Sequence, residues 1–170
     1  YAPVGIADLS GHGFDYWAYG HNTHRRVHAQ KPWIVMPGNP QGRDINEAGP
    51  KGVTLVDIDD DGTITCEERA VAVAVFERIA VDLSDIDDWS GMLDRVEAAL
   101  GTARAAAGGA HLVARLLLTG ATPLAWRLRR DEDLLLAEAQ NLAASLGECW
   151  IENAELSVTV PAAATGGEGG

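Results

Sequence analysis

The sequence predicts an α+β protein whose second half is a small domain of split β-α-β-β-α-β order. Residues 111–119 form an apolar run and residues 150–160 alternate apolar with polar side chains, as strands do. Residues 89–100 carry apolar side chains at helical spacing, and a second helix is expected after Asp131. This order predicts a four-stranded sheet with both helices on one face.

Composition limits the possible classes of protein. At 170 residues and 46% hydrophobic content, the chain can bury a core of one or two domains. No apolar run approaches the roughly 20 residues of a membrane span, and no signal peptide is visible, so we expect a soluble, cytoplasmic protein with no membrane partner. Cys66 and Cys149 lack the Cys-x-x-Cys spacing of a zinc site and are expected to be reduced.

The net charge of -12 argues against nucleic-acid binding over the whole surface, because that binding depends on phosphate neutralisation. The acidity is unevenly distributed, however. The net charge of residues 1–51 is +1, and the net charge of the remaining residues is -13. We therefore expect the downstream acidity to serve solubility.

Along the first part of the chain, residues 7–9 are compatible with a short helix, and residues 16–19 alternate as a short strand. Residues 33–36 are an apolar strand that Pro37-Gly38-Asn39-Pro40 stops. Residues 53–58 and 63–65 have strand character on either side of Asp61-Gly62, which is a hairpin turn signal. We place a first domain at residues 1–70.

The second domain is predicted at residues 71–160, with a first strand ending at Leu83. After strand 111–119, Leu124–Arg129 alternates and predicts another strand, with Arg127, Arg129 and Arg130 as a basic cluster along a solvated edge or against a phosphate backbone. The second helix has a predicted buried stripe of Leu135, Leu142 and Leu146 and ends at Gly147. Residues 161–170 are small and glycine-rich and predict a disordered tail.

The stretch from Phe14 to His28 is where chemistry is expected. A short aromatic strand ends at Gly20, which lets the backbone approach a ligand closely, and His21 and His24 follow. Imidazoles at a strand end suit zinc, iron or manganese. The alternative is that both histidines are ordinary polar loop residues.

A competing motif lies at residues 57–68. The spacing is that of an EF-hand calcium loop for Asp57, Asp59, Asp61, Gly62, Ile64 and Glu68. An EF-hand needs a helix on each side, whereas the residues before Asp57 are β-branched and favour a strand. A non-catalytic binding or scaffold module with a calcium loop is therefore the alternative function.

The first 56 residues resemble the last part of a calcineurin-like metallophosphoesterase, and the closer match is to the DNA-repair exonuclease (SbcD-like) subfamily. The resemblance continues more loosely to about residue 160. It is carried by Tyr1-Ala2-Pro3, Asp15-Tyr16-Trp17-Ala18, Gly20-His21, Pro32-Trp33-Ile34-Val35-Met36-Pro37-Gly38-Asn39-Pro40-Gln41-Gly42-Arg43 and Gly49-Pro50-Lys51-Gly52.

The resemblance implies that residues 1–70 are the C-terminal strands of a metallophosphoesterase domain and residues 71–160 a capping domain. That family ends its metal-binding motifs with Gly-His-x-His. Gly20 and His21 match, whereas Thr23 stands where the second histidine is expected and His24 follows one residue late. His21 and His24 are thus the predicted metal ligands, and Arg25, Asn39 and Arg43 the predicted substrate-binding residues.

What the resemblance implies about function is hydrolysis of phosphodiester bonds in DNA by water activated at two divalent metal ions, with manganese as the metal. It also implies a homodimer and a repair ATPase partner with a coiled coil. The family's earlier motifs, which supply the other metal ligands, would precede Tyr1. We therefore expect this chain to be part of a nuclease and to be inactive alone, and its catalytic residues are unknown.

Overall fold

The computed structural model describes residues 4–162, which divide between Val75 and Phe76 into two compact units. Unit 1 precedes this boundary and unit 2 follows it. The elements of unit 1 are α1 (Ile6–Ser10), β1 (Tyr16–Ala18), β2 (Arg26–Gln30), β3 (Trp33–Met36), a 3-10 helix (Ile45–Glu47), β4 (Gly52–Ile58) and β5 (Ile64–Ala70). β6 (Ala74–Asp82) crosses the boundary, and unit 2 continues with α2 (Trp89–Ala106), β7 (His111–Ala121), α3 (Ala125–Arg130), α4 (Glu132–Leu146) and β8 (Cys149–Thr159).

Unit 1 contains two small sheets. In the first, β1 pairs in parallel with β3, and β2 pairs with the other edge of β3 in the antiparallel sense. In the second, β4 and β5 form an antiparallel hairpin. The indole of Trp33 donates a hydrogen bond to the Ile64 carbonyl oxygen (3.0 Å), which ties the hairpin to the first sheet.

The hairpin predicted at Asp61-Gly62 is formed, and it excludes the alternative of an EF-hand. The calcium motif at residues 57–68 lies on two strands and their turn, with Asp57 opposite Thr65 and Ile58 opposite Ile64. Asp61 accepts a hydrogen bond from the Thr63 amide (2.9 Å) and closes the turn, which lowers the pKa of this carboxyl. An EF-hand needs flanking helices, and β-branched residues extend both strands instead.

The sheet of unit 2 has the order β6-β7-β8, and β7 and β8 are parallel. Alternate residues of β7 are buried, from Leu112 to Leu118, and they belong to an 18-residue apolar core that also includes residues of α2 and α4. Asp88 caps α2 by accepting a hydrogen bond from the Gly91 amide (2.8 Å). α2 and α4 contact each other and both contact the sheet.

One predicted strand of unit 2 is wrong. Leu124–Arg129 was expected to extend, but Ala125–Arg130 is the helix α3, so the described part of the sheet has three strands and the predicted split arrangement is not formed. Buried Thr122 explains the difference, because its hydroxyl accepts a hydrogen bond from the Leu124 amide (3.1 Å) at the start of the helix.

Smaller differences concern α4 and the end of the chain. Asp131 precedes α4 but makes no capping hydrogen bond, because its carboxylate is engaged by Arg130 (2.6 Å). Leu135 is buried as predicted, whereas Leu142 is half-buried and Leu146 is exposed. Ala139 and Ala143 complete the buried stripe. The tail predicted at residues 161–170 lies outside the described residues from residue 163 onward.

No helix within residues 4–162 is both long enough and apolar enough to cross a membrane.

Candidate functional site

The histidine loop, residues 19–25, connects β1 to β2. The Tyr19 amide still donates to the Val35 carbonyl oxygen (2.8 Å), so the loop begins at the very end of the paired strand. His21 is exposed and has a φ of 84°. This left-handed conformation is uncommon for a residue with a side chain and costs about 1 kcal/mol or more. Backbone strain of this kind is concentrated at functional sites, which makes His21 a candidate ligand.

His24 and Thr23 follow at the end of the loop. His24 is exposed, and its Nδ1 atom lies 3.3 Å from the Thr23 hydroxyl oxygen. His24 is also only two residues from the start of β2, a strand that the sequence analysis did not predict. The short, irregular stretch between Gly20 and β2 is the part of the loop that sets the direction of both imidazoles.

The turn after β3, residues 37–41, lies against the histidine loop. Parallel β1 and β3 end at the same edge of their sheet, so the segments that follow them are neighbours. The backbone amide of Asn39 donates a hydrogen bond to the Thr23 carbonyl oxygen (3.3 Å). Gly38 has a φ of 76°, and a Cβ atom there would lie 2.8 Å from the Arg25 amide nitrogen. Glycine is required at this point because two backbone segments meet.

Asn39 and Arg43, both predicted to bind substrate, share one partner that the sequence analysis missed. Glu47 is buried, with 9% of its side chain exposed. Its Oε2 atom accepts from Asn39 Nδ2 (2.9 Å) and from the Arg43 amide (3.0 Å). Its Oε1 atom accepts from Arg43 Nε (3.0 Å) and Nη2 (2.5 Å). The spacing Arg43 to Glu47 was a visible signal for an ion pair, but the burial of Glu47 was not.

These hydrogen bonds hold Glu47 in its charged form. The bonds from Arg43 are the main cause, the bond from Asn39 adds to them, and together they lower the pKa of Glu47 to about 2 against the cost of burial. Arg43 in turn has a raised pKa because of the same bonds. Its side chain is 76% exposed, so the guanidinium is held in one orientation while remaining open to solvent. That arrangement suits binding of a phosphate oxygen.

Asn39 is oriented by the same carboxylate. Its Nδ2 group donates to Glu47 and to the Gln41 carbonyl oxygen (3.0 Å), which uses both amide hydrogens. The Oδ1 atom faces elsewhere, is buried and has no hydrogen-bond partner among residues 4–162. Both hydrogens of the Asn39 side chain are thus engaged within unit 1, and its predicted contact with substrate stays a prediction.

Arg25 is used within unit 1. Its side chain is 24% exposed, and its Nε atom lies 3.6 Å from the Glu68 carboxylate on β5. Burial raises the pKa of Tyr16 and of Cys66, and the positive charge of Arg25 acts in the opposite direction on both groups. Arg25 therefore joins the histidine loop to the hairpin, and its predicted contact with substrate stays a prediction.

The metal-binding capacity of the described residues is incomplete. Between residues 4 and 162, no group of three or more His, Cys, Asp or Glu side chains lies close enough to hold a metal ion. A two-metal centre needs ligands from several loops. His21 and His24 do not fit such a centre by themselves.

Comparison with known proteins bears on both units. Residues 76–159, which lie in unit 2, match the model of the family described as metallophosphoesterase YhaO, middle domain. The chain is also 34% identical over 136 residues to the uncharacterized metallophosphoesterase YhaO of Bacillus subtilis (strain 168). The chain is similar to metallophosphoesterases.

The alignment with YhaO covers 79% of this chain and 32% of YhaO, so the chain spans about a third of the length of that protein. Metallophosphoesterases use divalent metal ions, which agrees with the kind of ligand expected at His21. The predicted exonuclease subfamily is a finer statement than this similarity supports.

Proposed function

We propose that this chain is part of a metal-dependent phosphodiesterase of the DNA-repair exonuclease type. The observation that carries the proposal is the 34% identity to a metallophosphoesterase over 136 residues, a length greater than either unit, so the similarity includes residues of both. In this proposal unit 1 supplies one edge of the active site and unit 2 is the capping domain.

The proposed centre holds two divalent metal ions, with manganese as the expected metal, and His21 is one ligand. The remaining ligands come from polypeptide that is not part of this chain, as the absence of a sufficient cluster among residues 4–162 and the length of YhaO both suggest. His24 is the candidate for the second imidazole. When bound, the metal ions supply Lewis-acid activation of the phosphodiester.

Arg43 is the residue that we propose for contact with a DNA phosphate, since its guanidinium is both exposed and held in place. The resemblance noted above also supports a homodimer, an ATPase partner with a coiled coil and a cytoplasmic location as parts of this proposal. The calcium-binding alternative is not carried forward, because residues 57–68 form a hairpin.

The proposal is tested with a longer polypeptide in which this chain keeps its natural preceding residues. In the presence of manganese we expect it to hydrolyse bis(p-nitrophenyl) phosphate and single-stranded DNA, whereas residues 1–170 alone do not. His21→Ala should lower the rate by more than about 100-fold, because even outer-shell partners of metal ligands are worth 10- to 100-fold.

His12→Ala is the matched control. His12 is exposed, and its Nδ1 atom lies 2.5 Å from the Asp8 carbonyl oxygen, in the segment before β1. We expect this variant to keep full activity. Equal activity of the His21→Ala and unaltered proteins would remove His21 from the centre, and an inactive longer protein would favour a non-catalytic binding module.

A further inference from the structure

Glu47 is a buried carboxylate that accepts hydrogen bonds from four donors, namely Asn39 Nδ2 and the backbone amide, Nε and Nη2 groups of Arg43. A buried charge of this kind is tolerated only when it is paired and its oxygen atoms are hydrogen-bonded. Hydrogen bonds to a charged acceptor are also roughly twice as strong as neutral ones. Glu47 is therefore the strongest single fixing point of residues 39–47.

The turn that Glu47 holds is fastened at its other end by Gln41. The side-chain oxygen of Gln41 accepts from the Val73 amide (2.9 Å) and the Ala74 amide (3.2 Å), and its Nε2 group donates to the Ala74 carbonyl oxygen (2.8 Å). Gln41 and Glu47 thus both hold the turn. The Asn39 side chain donates to the Gln41 carbonyl oxygen and to the Glu47 carboxylate, so it is bonded to both residues.

From Asn39 the contacts reach the histidine loop directly. The backbone amide of Asn39 donates to the Thr23 carbonyl oxygen (3.3 Å), and Gly38 packs against the backbone of Thr23 and Arg25. A continuous series of contacts therefore joins Glu47 to the segment that carries His24. Glu47 also decides which atom of Asn39 faces away, because a carboxylate can only accept and so must face the amide nitrogen.

We propose that Glu47 is a positioning residue of the candidate site, which orients the Arg43 guanidinium directly and holds the histidine loop through Asn39. This inference rests on the proposed function, because only an active site gives the positioning a purpose. The test, however, needs neither a metal ion nor a substrate. The competing explanation is that Glu47 only stabilises its own 3-10 helix, which would leave the histidines unaffected.

The test compares Glu47→Gln with the unaltered 170-residue chain by NMR, without metal or substrate. Glutamine keeps the size of the side chain but loses the charge and cannot accept four donors. We expect the backbone amide of Asn39 to exchange its hydrogen about tenfold faster or more. The reason is that the Asn39 side chain loses its bond to a charged group, and such bonds are among the strongest in proteins. We also expect the imidazole signals of His21 and His24 to shift, while amides in β7 stay unchanged.

Glu67→Gln is the matched control, because Glu67 forms an exposed ion pair with Arg69 (3.0 Å) in the same unit. It should leave the histidine signals in place. If Glu47→Gln prevents unit 1 from folding, Asn39→Ala replaces it, because this change keeps the Arg43 pair with Glu47 and the backbone bond to Thr23, and removes only the side-chain bonds that join Asn39 to Glu47 and to the Gln41 carbonyl oxygen. It should shift the same histidine signals.

Unchanged histidine signals in a folded Glu47→Gln variant, or in Asn39→Ala where that variant is needed, would overturn the positioning role. This result is independent of hydrolysis, because no metal or substrate is present. Conversely, an inactive longer protein would leave a positive NMR result intact and would reject only the phosphodiesterase assignment.

Discussion

At the scale of single residues, Gly38 shows how closely the turn and the histidine loop are joined. Its positive φ of 76° already favours glycine, and a Cβ atom would in addition lie 2.8 Å from the Arg25 amide nitrogen and 3.0 Å from the Thr23 carbonyl oxygen. Both neighbours are backbone atoms, which cannot rotate away as a side chain can. The two effects, conformation and close approach, can be separated by experiment.

Gly49→Ala isolates the conformational cost, because Gly49 has a φ of 89° and nothing lies within 4 Å of its added Cβ atom. We expect that variant to lose about 1–2 kcal/mol in the free energy of unfolding of unit 1. Gly38→Ala should lose more, since backbone must also move. Urea unfolding followed through amide signals of unit 1 measures both changes. Equal losses would show that the loop and turn are not in contact in solution.

The sequence predicted a turn at Pro37-Gly38-Asn39 because proline and glycine are local signals. It did not predict why glycine is needed, since the atoms that a Cβ would meet lie 13 to 15 positions earlier in the chain. The same limit applies to Asn39. Asn39 was predicted to bind substrate, but the buried carboxylate of Glu47 uses its side-chain donor. Burial depends on tertiary packing, which local patterns do not contain.

At the scale of elements, α3 is the clearest difference between prediction and structure. The alternation of Leu124, Trp126 and Leu128 suggested a strand, but the buried residues are Leu124, Ala125 and Leu128, which is a helical spacing. The signal that identifies the helix is Thr122-Pro123. A threonine that accepts from a backbone amide two residues later, followed by proline, is typical of the turn that leads into a helix.

Thr122→Val tests this start. The hydroxyl of Thr122 donates to the Ile86 carbonyl oxygen (2.6 Å) and accepts from the Leu124 amide (3.1 Å), and valine removes both bonds while keeping the shape. Because a buried amide and a partly buried carbonyl lose their partners, we expect unit 2 to lose about 1–3 kcal/mol in the free energy of unfolding. Chemical denaturation of the 170-residue chain measures it.

Thr102→Val is the control for that experiment. Thr102 is exposed in the middle of α2, and its hydroxyl donates to the Ala98 carbonyl oxygen (3.0 Å). This bond is solvent-accessible, so its loss should change stability by less than about 0.5 kcal/mol. Similar losses in the two variants would mean that the two hydroxyl bonds of Thr122 contribute no more to stability than an exposed one.

The arginines predicted along a strand edge lie on the helix α3 instead. Arg129 Nη2 donates to the Val158 carbonyl oxygen (2.5 Å), Arg130 pairs with Asp131, and the Arg127 guanidinium lies 4.5 Å from the centre of the Trp89 ring. Each of these arginines has a partner inside unit 2. The expected basic strand edge is therefore replaced by a set of helix contacts, which gives no support to a phosphate-binding role for the cluster.

At the scale of the whole chain, the two units differ in their cores. The buried apolar residues of unit 1 among the described residues are Leu9, Ile34, Val35, Ile45 and Val75, whereas unit 2 has a cluster of 18. Burial of apolar surface is the dominant favourable contribution to folding. The stability of unit 1 therefore depends more on polar contacts such as the hydrogen bonds of Glu47, and the stability of unit 2 depends on its apolar core.

This difference explains which regions the sequence predicted well. The helix from Trp89 and the strand from His111 were predicted because a continuous core imposes a strict apolar period on them. β2 was missed, because Arg26-Val27-His28-Ala29-Gln30 is mostly polar and contains a register shift between Val27 and Ala29. The candidate site lies in the unit with the weaker pattern, so its residue types were predicted and its contacts were not.

Unit 2 should fold without unit 1. A fragment of residues 76–162 keeps the whole 18-residue core, the Asp88 cap and the contacts of Arg104 with Gly108 and Glu148. We expect dispersed amide signals and one cooperative unfolding transition with about 5 kcal/mol or more of stability, as is usual for a small domain with its own core.

Residues 4–75 expressed alone provide the comparison. With five buried apolar residues, this fragment should unfold at a lower urea concentration than residues 76–162, and Glu47→Gln should lower that concentration further. Circular dichroism and urea titration of both fragments measure the difference. An unfolded 76–162 fragment beside a folded 4–75 fragment would show that the larger core is insufficient without the preceding unit, and that buried apolar surface is not what distinguishes the two.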